Sequence, residues 1–392
     1  VISHFRLGQD KLTFGRKILE LNWAFVFLLI VTACVGFAML YSAAPPDPTV
    51  KDAVGSWNPW AKRQLIRFGG GLVIMFVVAL TDIRIWLRYS YVLYFIALGL
   101  LVGVELKGSI GMGAQRWISL GFFQLQPSEL MKITIVLALA RYFHGRSMEE
   151  IQSIPYLFAP LFMVAAPSAL ILRQPDLGTT LMLILGSGVI FFLAGVRLWK
   201  FALVGVSAMA AVPVAWQFLH TYQKKRVLTF LNPENDPLGA GYHIMQSKIA
   251  LGSGGMMGKG FGQGSQSHLN FLPEKQTDFI FTMLAEEHGL VGGLAVLGLY
   301  LLLLIYGYAI AIRSRSQYGR LVALGVITTF FLYIFINIGM VMGLLPVVGV
   351  PLPLISYGGT VMISILFSFG LLLSVSIHRD VTISRKGENE DF

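Results

Sequence analysis

The chain has 392 residues, 55% hydrophobic and only 13% charged, with a mean hydropathy of +0.70 and a net charge of +10. A soluble domain carries about 25% charged residues, so this composition excludes an ordinary soluble fold. The single cysteine, Cys34, excludes an internal disulfide and a thiolate metal site. The basic residues punctuate apolar runs instead of forming one patch, so no nucleic-acid partner is expected.

Residues 1–20 form a basic N-terminal segment. The apolar run 21–43 exceeds the about 7–15 residues of a signal-peptide core, so it reads as a retained first span. About ten runs are long enough to cross a bilayer as helices: roughly 21–43, 64–82, 88–105, 127–143, 156–173, 178–195, 200–220, 290–312, 321–344 and 360–377. The predicted fold class is an all-α polytopic membrane protein. Its organisation is a cytoplasmic segment 1–20, transmembrane helices over 21–220, a large periplasmic loop with a short interfacial or re-entrant helix over 221–289, further transmembrane helices over 290–377, and a cytoplasmic tail 378–392. Lys and Arg are denser in the short loops on the side of the termini, among them Arg84, Arg88, Arg141, Arg146, Arg313 and Arg320. That bias places both termini inside and the loop 221–277 outside.

The polar motifs follow in chain order. "GAQRW" holds Arg116, a donor fork suited to phosphate oxygens, and Trp117, which can stack on a sugar or anchor at the interface. "QPSELMK" opens the fourth span. Pro127 suits a first helical turn and Glu129 complements the helix dipole. Lys132, three residues on, can pair with Glu129 on one face, and ionisable groups inside a span are functional candidates. "QPDLGT" supplies Gln174 and Asp176, the latter a potential N-cap. "GSGGMMGKGFGQG" looks like a phosphate loop. A Walker pattern ending at Gly258–Lys259, however, needs glycine at Ser253 and Ser or Thr at Gly260. It reads as a mobile or tightly turned external loop.

"KQTDF" places Asp278 at the start of the short helix predicted over 278–288, where capping is its plainest role. Glu286 and Glu287 fall at the end of that helix, where the dipole disfavours carboxylates. They are expected to be paired or to hold a cation. "PVVGVPLPLISYGG" cannot form a regular helix, and its Ser356 and Tyr357 can bond a substrate or satisfy irregular backbone. All these clusters lie at the outer face, whereas a solute carrier places polar groups at mid-membrane. The pattern suits chemistry on a lipid-linked, phosphate-bearing substrate.

With "GAQRW", "QPSELMK", "QPDLGT", "DPLGAGYHIMQSKIALGSGG", "FLPEKQTDFIF" and "VPLPLISYGG" in order over nearly the whole chain, the sequence resembles the SEDS family (shape, elongation, division and sporulation), in its rod-shape branch. Gln276 stands where that family leads one to expect histidine. The resemblance implies a peptidoglycan glycosyltransferase that polymerises lipid II at the outer face of the bacterial cytoplasmic membrane. Its implied partners are the lipid-linked glycan strand, a class B penicillin-binding protein transpeptidase and other elongation-complex proteins. It implies Asp278 as the catalytic residue and Glu129 with Lys132 as an essential intramembrane pair, with Arg116 and Trp117 at positions implicated in activity. Gln174, Asp176 and Ser356 are the further substrate-binding candidates. Glu286 and Glu287 are assigned a supporting role, and a divalent cation, Mg or Mn, is the one cofactor contemplated. A lipid II flippase and a non-catalytic scaffold are the alternatives.

Overall fold

The computed structural model describes residues 13–45, 55–111, 114–119, 121, 124–218, 224, 228–230, 232, 240–269, 271–272 and 274–384. The start of the N-terminal segment, most of 219–239 and the tail beyond 384 lie outside the described residues.

Each expected span coincides with a helix: α1 (Trp23–Ala43), α2 (Trp60–Leu80), α3 (Ile83–Lys107), α4 (Pro127–His144), α5 (Phe158–Arg173), α6 (Leu177–Ala194), α7 (Leu198–Phe218), α9 (Ile280–Arg313), α10 (Gln317–Val341) and α11 (Gly359–Ile377). Within the large loop lies α8 (Ala240–Ser253). Eight of the spanning helices are long and apolar enough to cross a membrane. Of the other two, α7 has a shorter apolar stretch, Leu198–Pro213, and α4 carries Glu129, Lys132 and Arg141.

The placement of α4 explains how it tolerates charge. It is buried along almost its whole length, packed among α3, α5, α6, α10 and α11. Glu129 and Lys132 therefore face protein, not lipid. The outer helices instead expose apolar residues such as Phe27, Val73, Phe95, Phe162 and Leu301, as a hydrocarbon solvent requires.

At the end carrying the termini, Lys17 Nζ donates to Leu80 O at 2.7 Å and Ser374 Oγ to Thr81 O at 2.7 Å. At the opposite end sits a small antiparallel sheet that the all-α expectation did not include: β1 (Ser109–Gly111), β2 (Ala114–Ser119) and β3 (Gln124–Leu125), in the order β1-β2-β3. Ser109 pairs with Trp117 and Ile118 with Leu125.

The short helix expected over 278–288 is the first part of α9, which starts at Ile280 and is broken at Gly289 (φ 66°, ψ −163°). One expectation is corrected here. The residue preceding the helix is Phe279, so Asp278 lies in the turn before it and is no N-cap. The segment Ile280–Glu287 is buried in protein throughout.

The glycine-rich loop packs against that break, and its glycines serve close backbone apposition, not mobility. Lys259 N donates to Glu286 O and Gly260 N to Glu287 O, while Leu290 N and Val291 N donate to Gly255 O and Met256 O. The interrupted helix thus recovers partners for its freed groups, as a broken helix in a membrane protein must. A Cβ on Gly258 (φ 82°) would stand 2.1 Å from Glu287 O.

Candidate active site

The end of the bundle bearing the sheet gathers the polar motifs. Asp278 is partly exposed there. Its turn is tied to the segment between α10 and α11. Asn337 Nδ2 donates to Asp278 O at 2.9 Å and to Val350 O at 2.7 Å. Ser356 Oγ donates to Thr277 O at 2.6 Å and accepts from Leu352 N at 2.7 Å, and Tyr357 N donates to Gln276 O at 2.8 Å. A Cβ built on Gly349 (φ 72°) would lie 3.5 Å from Asp278 Oδ2, an ordinary contact distance, so Gly349 borders the carboxylate. Ser356, expected to bind substrate, is buried and spends its hydroxyl on the main chain. It positions the turn that carries Asp278.

Glu129 and Lys132 form the expected pair on α4 at 2.8 Å, each side chain 4% exposed. The structure adds a third member, Tyr333 of α10. Lys132 Nζ donates to the Tyr333 hydroxyl, which donates to Glu129 Oε2, and Nζ lies 4.2 Å from the ring centroid. This closed set satisfies a buried ion pair, which otherwise costs more in desolvation than it gains. Lys132 is therefore committed inside the bundle instead of being presented to a ligand.

Arg116, on β2, points its fork at protein. Nε donates to Gln174 O at 2.9 Å and Nη2 to Pro175 O at 2.6 Å, and Nη1 is 3.9 Å from Asp176 Oδ2. Asp176 caps α6, accepting from Thr179 N at 3.1 Å and Thr179 Oγ1 at 3.0 Å. Gln174 is buried and donates to Leu101 O at 3.3 Å. Arg116, Gln174 and Asp176 are thus brought together as a latch between sheet and helix, where the sequence suggested separate substrate contacts. Trp117 is half-buried in β2. The latch reaches Asp278 through α6, because a Cβ on Gly178 would meet Val348 O at 2.8 Å, next to Gly349.

Glu286 and Glu287 are buried and engaged. Glu286 accepts from Lys259 Nζ at 2.8 Å, Gln266 N at 2.9 Å and Ser267 N at 3.2 Å. Glu287 accepts from Ser42 Oγ at 2.6 Å and lies 3.2 Å from His268 Nε2. Their partners are N–H and O–H donors and a lysine, and no three His, Cys, Asp or Glu side chains converge among the described residues. Lys259 Nζ and the N–H donors occupy both Glu286 oxygens, while Glu287 Oε2 has no hydrogen-bond partner among the described residues. The two carboxylates clamp the large loop onto α9.

The sequence reading missed Tyr333, Asn337, Gln64 and Arg67. Gln64 Nε2 donates to Ser356 O at 3.0 Å and its Oε1 accepts from Gly358 N at 3.3 Å. The Arg67 guanidinium lies 4.7 Å from the Tyr357 ring centroid, and its Nη1 is buried with no hydrogen-bond partner among the described residues. The available signal was a polar residue inside an apolar helix: Gln64 and Arg67 in "RQLIR", Tyr333 and Asn337 in "LYIFIN".

A family model described as a cell cycle protein, for FtsW, RodA and SpoVE, matches residues 22–381. The chain is 43% identical over 374 residues to the peptidoglycan glycosyltransferase MrdB of Escherichia coli strain K12, covering 95% of this chain and 97% of that one. It is 38% identical over 361 residues to stage V sporulation protein E of Bacillus subtilis strain 168, covering 91% and 96%. A solved chain from a peptidoglycan synthase complex, in work on the coordination of polymerization and crosslinking, superposes with a TM-score of 0.77 at 34% identity, covering 92% and 98%. The crystal structure of the rod shape determining protein RodA of Thermus thermophilus superposes with a TM-score of 0.68 at 31% identity, covering 92% and 97%.

Proposed function

The chain belongs to the FtsW, RodA and SpoVE family of cell cycle proteins, and from that premise we propose how its outer-end site extends glycan strands. It is a multi-pass membrane protein and a peptidoglycan glycosyltransferase, like the relatives it matches over nearly its full length. Its proposed substrate is lipid II, donor and acceptor both, and the reading includes a growing lipid-linked strand.

One observation carries the assignment of Asp278 as the base: the residue is partly exposed while the turn beneath it is held by Asn337, Ser356 and Tyr357. Rigid support of an accessible carboxylate is what proton abstraction needs. In this reading the acceptor 4-hydroxyl gives its proton to Asp278 and its oxygen bonds to C1 of the donor sugar. The bond from C1 to the pyrophosphate oxygen breaks, and polyprenyl pyrophosphate leaves from the opposite face with the bonding electrons. The α-linked donor becomes a β-1,4 link by inversion. Arg67, whose buried Nη1 has no hydrogen-bond partner among the described residues and whose guanidinium lies beside Tyr357 and Gly359, is the proposed cation that offsets charge on the leaving group. The Glu129–Lys132–Tyr333 set and the Arg116 latch hold the walls of the site.

The reading places the protein in the cytoplasmic membrane with this end facing the periplasm, beside a class B penicillin-binding protein that cross-links the product. The neighbour solved within a peptidoglycan synthase complex supports such a partner. Purified protein given labelled lipid II in detergent is expected to yield a ladder of glycan strands on a gel. No polymer, with or without the transpeptidase, would reject the activity. For orientation, a cysteine placed in 240–269 with Cys34 removed is expected to react with an impermeant thiol reagent on intact spheroplasts. Reaction only after lysis would invert the topology.

A further inference from the structure

A second site lies at the other end of the bundle, where the termini are. A cavity of about 260 Å³ opens between the start of α1 and the ends of α9 and α11. It is many times the roughly 30 Å³ share of one water and below the about 300–1,000 Å³ of sites for drug-sized ligands. That is room for a head group, not for a whole lipid-linked saccharide.

Its lining includes Glu20, Arg313 and Arg379, with Asn22, Tyr306 and Ser376 between them. Arg379 and Arg315 share Asp380, each at 3.5 Å. Arg313 and Glu20 make no ion pair among the described residues, with each other or with any other group. Two opposite charges on one small cavity, too far apart to pair, suit a ligand carrying both charges. A phosphate suits the arginines. An ammonium suits Glu20 and the carbonyl ends of α9 and α11, which both terminate here.

The surroundings are those of a lipid boundary. Trp23, next to Asn22, is 51% exposed, as an interface anchor is. Beside the cavity-facing stripe of α9, Ile305 and Ile312 are exposed. Basic pockets between helices on the cytoplasmic side of a membrane bind the phosphates of anionic head groups, and here Glu20 adds the site for an ammonium.

We infer that this cavity binds the head group of an aminophospholipid of the phosphatidylethanolamine type, phosphate on Arg313 and Arg379 and ammonium on Glu20. The inference is independent of the chemistry at the opposite end. The test is native mass spectrometry of the full-length protein released from detergent with dioleoyl phosphatidylethanolamine, phosphatidylglycerol or inorganic phosphate. The wild type is expected to retain phosphatidylethanolamine over phosphatidylglycerol, and inorganic phosphate should not displace it. Arg313→Gln should lower retention of both lipids several-fold. Glu20→Gln should lower phosphatidylethanolamine alone and reverse the preference. Arg313→Lys, which keeps the charge, should retain most binding and controls for folding. Retention unchanged in Arg313→Gln and Glu20→Gln, a wild-type preference for phosphatidylglycerol, or displacement by inorganic phosphate would each overturn the assignment.

Discussion

Asn337 holds Asp278 by its main chain: the amide nitrogen donates at 2.9 Å to the Asp278 carbonyl and at 2.7 Å to that of Val350. Tyr333, which closes the Glu129–Lys132 set, stands four residues earlier on the same helix. Four residues rise about 6 Å, one turn, so one face of α10 supports both the buried ion pair and the turn that carries Asp278.

Asp278→Asn leaves the Asn337 bond intact, since that bond uses the backbone. The variant is expected to fold with wild-type abundance and thermal stability. Loss of a general base should lower polymerisation of lipid II about 10²-fold or more. A rate above about a tenth of wild type would remove Asp278 from that role.

The buried set should fail as a unit. Glu129→Ala or Lys132→Ala leaves an uncompensated buried charge, costing on the order of 3–5 kcal/mol, and the double variant should be little worse than either. Tyr333→Phe removes only the bridging hydroxyl and should cost about 1–3 kcal/mol. Thermal denaturation and glycan gels on the same preparations give both readouts. Wild-type behaviour of any single alanine variant would show that the pair is dispensable.

Arg116→Lys keeps the charge but cannot reach both Gln174 O and Pro175 O. We predict a loss of about 1.5–3 kcal/mol of local stability, the worth of a charged hydrogen bond, with a clear drop in turnover. Unchanged melting and turnover would show that the latch contributes nothing.

Gly258→Ala should destabilise the loop clamp. The new Cβ would stand 2.1 Å from Glu287 O at a φ of 82°. Left-handed strain alone costs about 1–3 kcal/mol, and the overlap adds to it. Faster hydrogen exchange in 254–264 and 286–291 is the expected signature, and unaltered exchange would contradict the packing.

His378, just past the end of α11, is buried, and burial pushes its pKa below the usual histidine value. The Ser374 carbonyl and Asp82 pull the other way, while Lys17 and Arg84 add to the lowering. The folded state therefore resists protonation more than the unfolded one, so the unfolded state binds more protons in the window below about 6.5. Stability should fall as pH drops through that window. His378→Gln should flatten the melting temperature between about pH 5 and 7 relative to wild type, and an identical slope would exclude His378 as its source.

The sequence by itself determined the membrane class, the spans and the clustering of polar motifs at one end. Apolar run length and loop charge are local properties, set by bilayer thickness and the cost of unsatisfied backbone in lipid. The Glu129–Lys132 pair was legible for the same reason, since a three-residue spacing on a helix fixes who can meet. Which residue completes that pair was decided only by the tertiary structure. Tyr333 lies 204 positions from Glu129, and no periodicity signals such a contact. The same holds for the use of Arg116 and Ser356. A donor fork or a hydroxyl has no preferred partner in sequence, and folding brought each to unsatisfied carbonyls of Gln174, Pro175 and Thr277, which buried backbone must satisfy. Glycines 254–264 read as either mobile or tightly turned, because glycine permits many conformations. Packing against the break at Gly289 selected one of them, since only a residue without a side chain lets two backbones approach so closely.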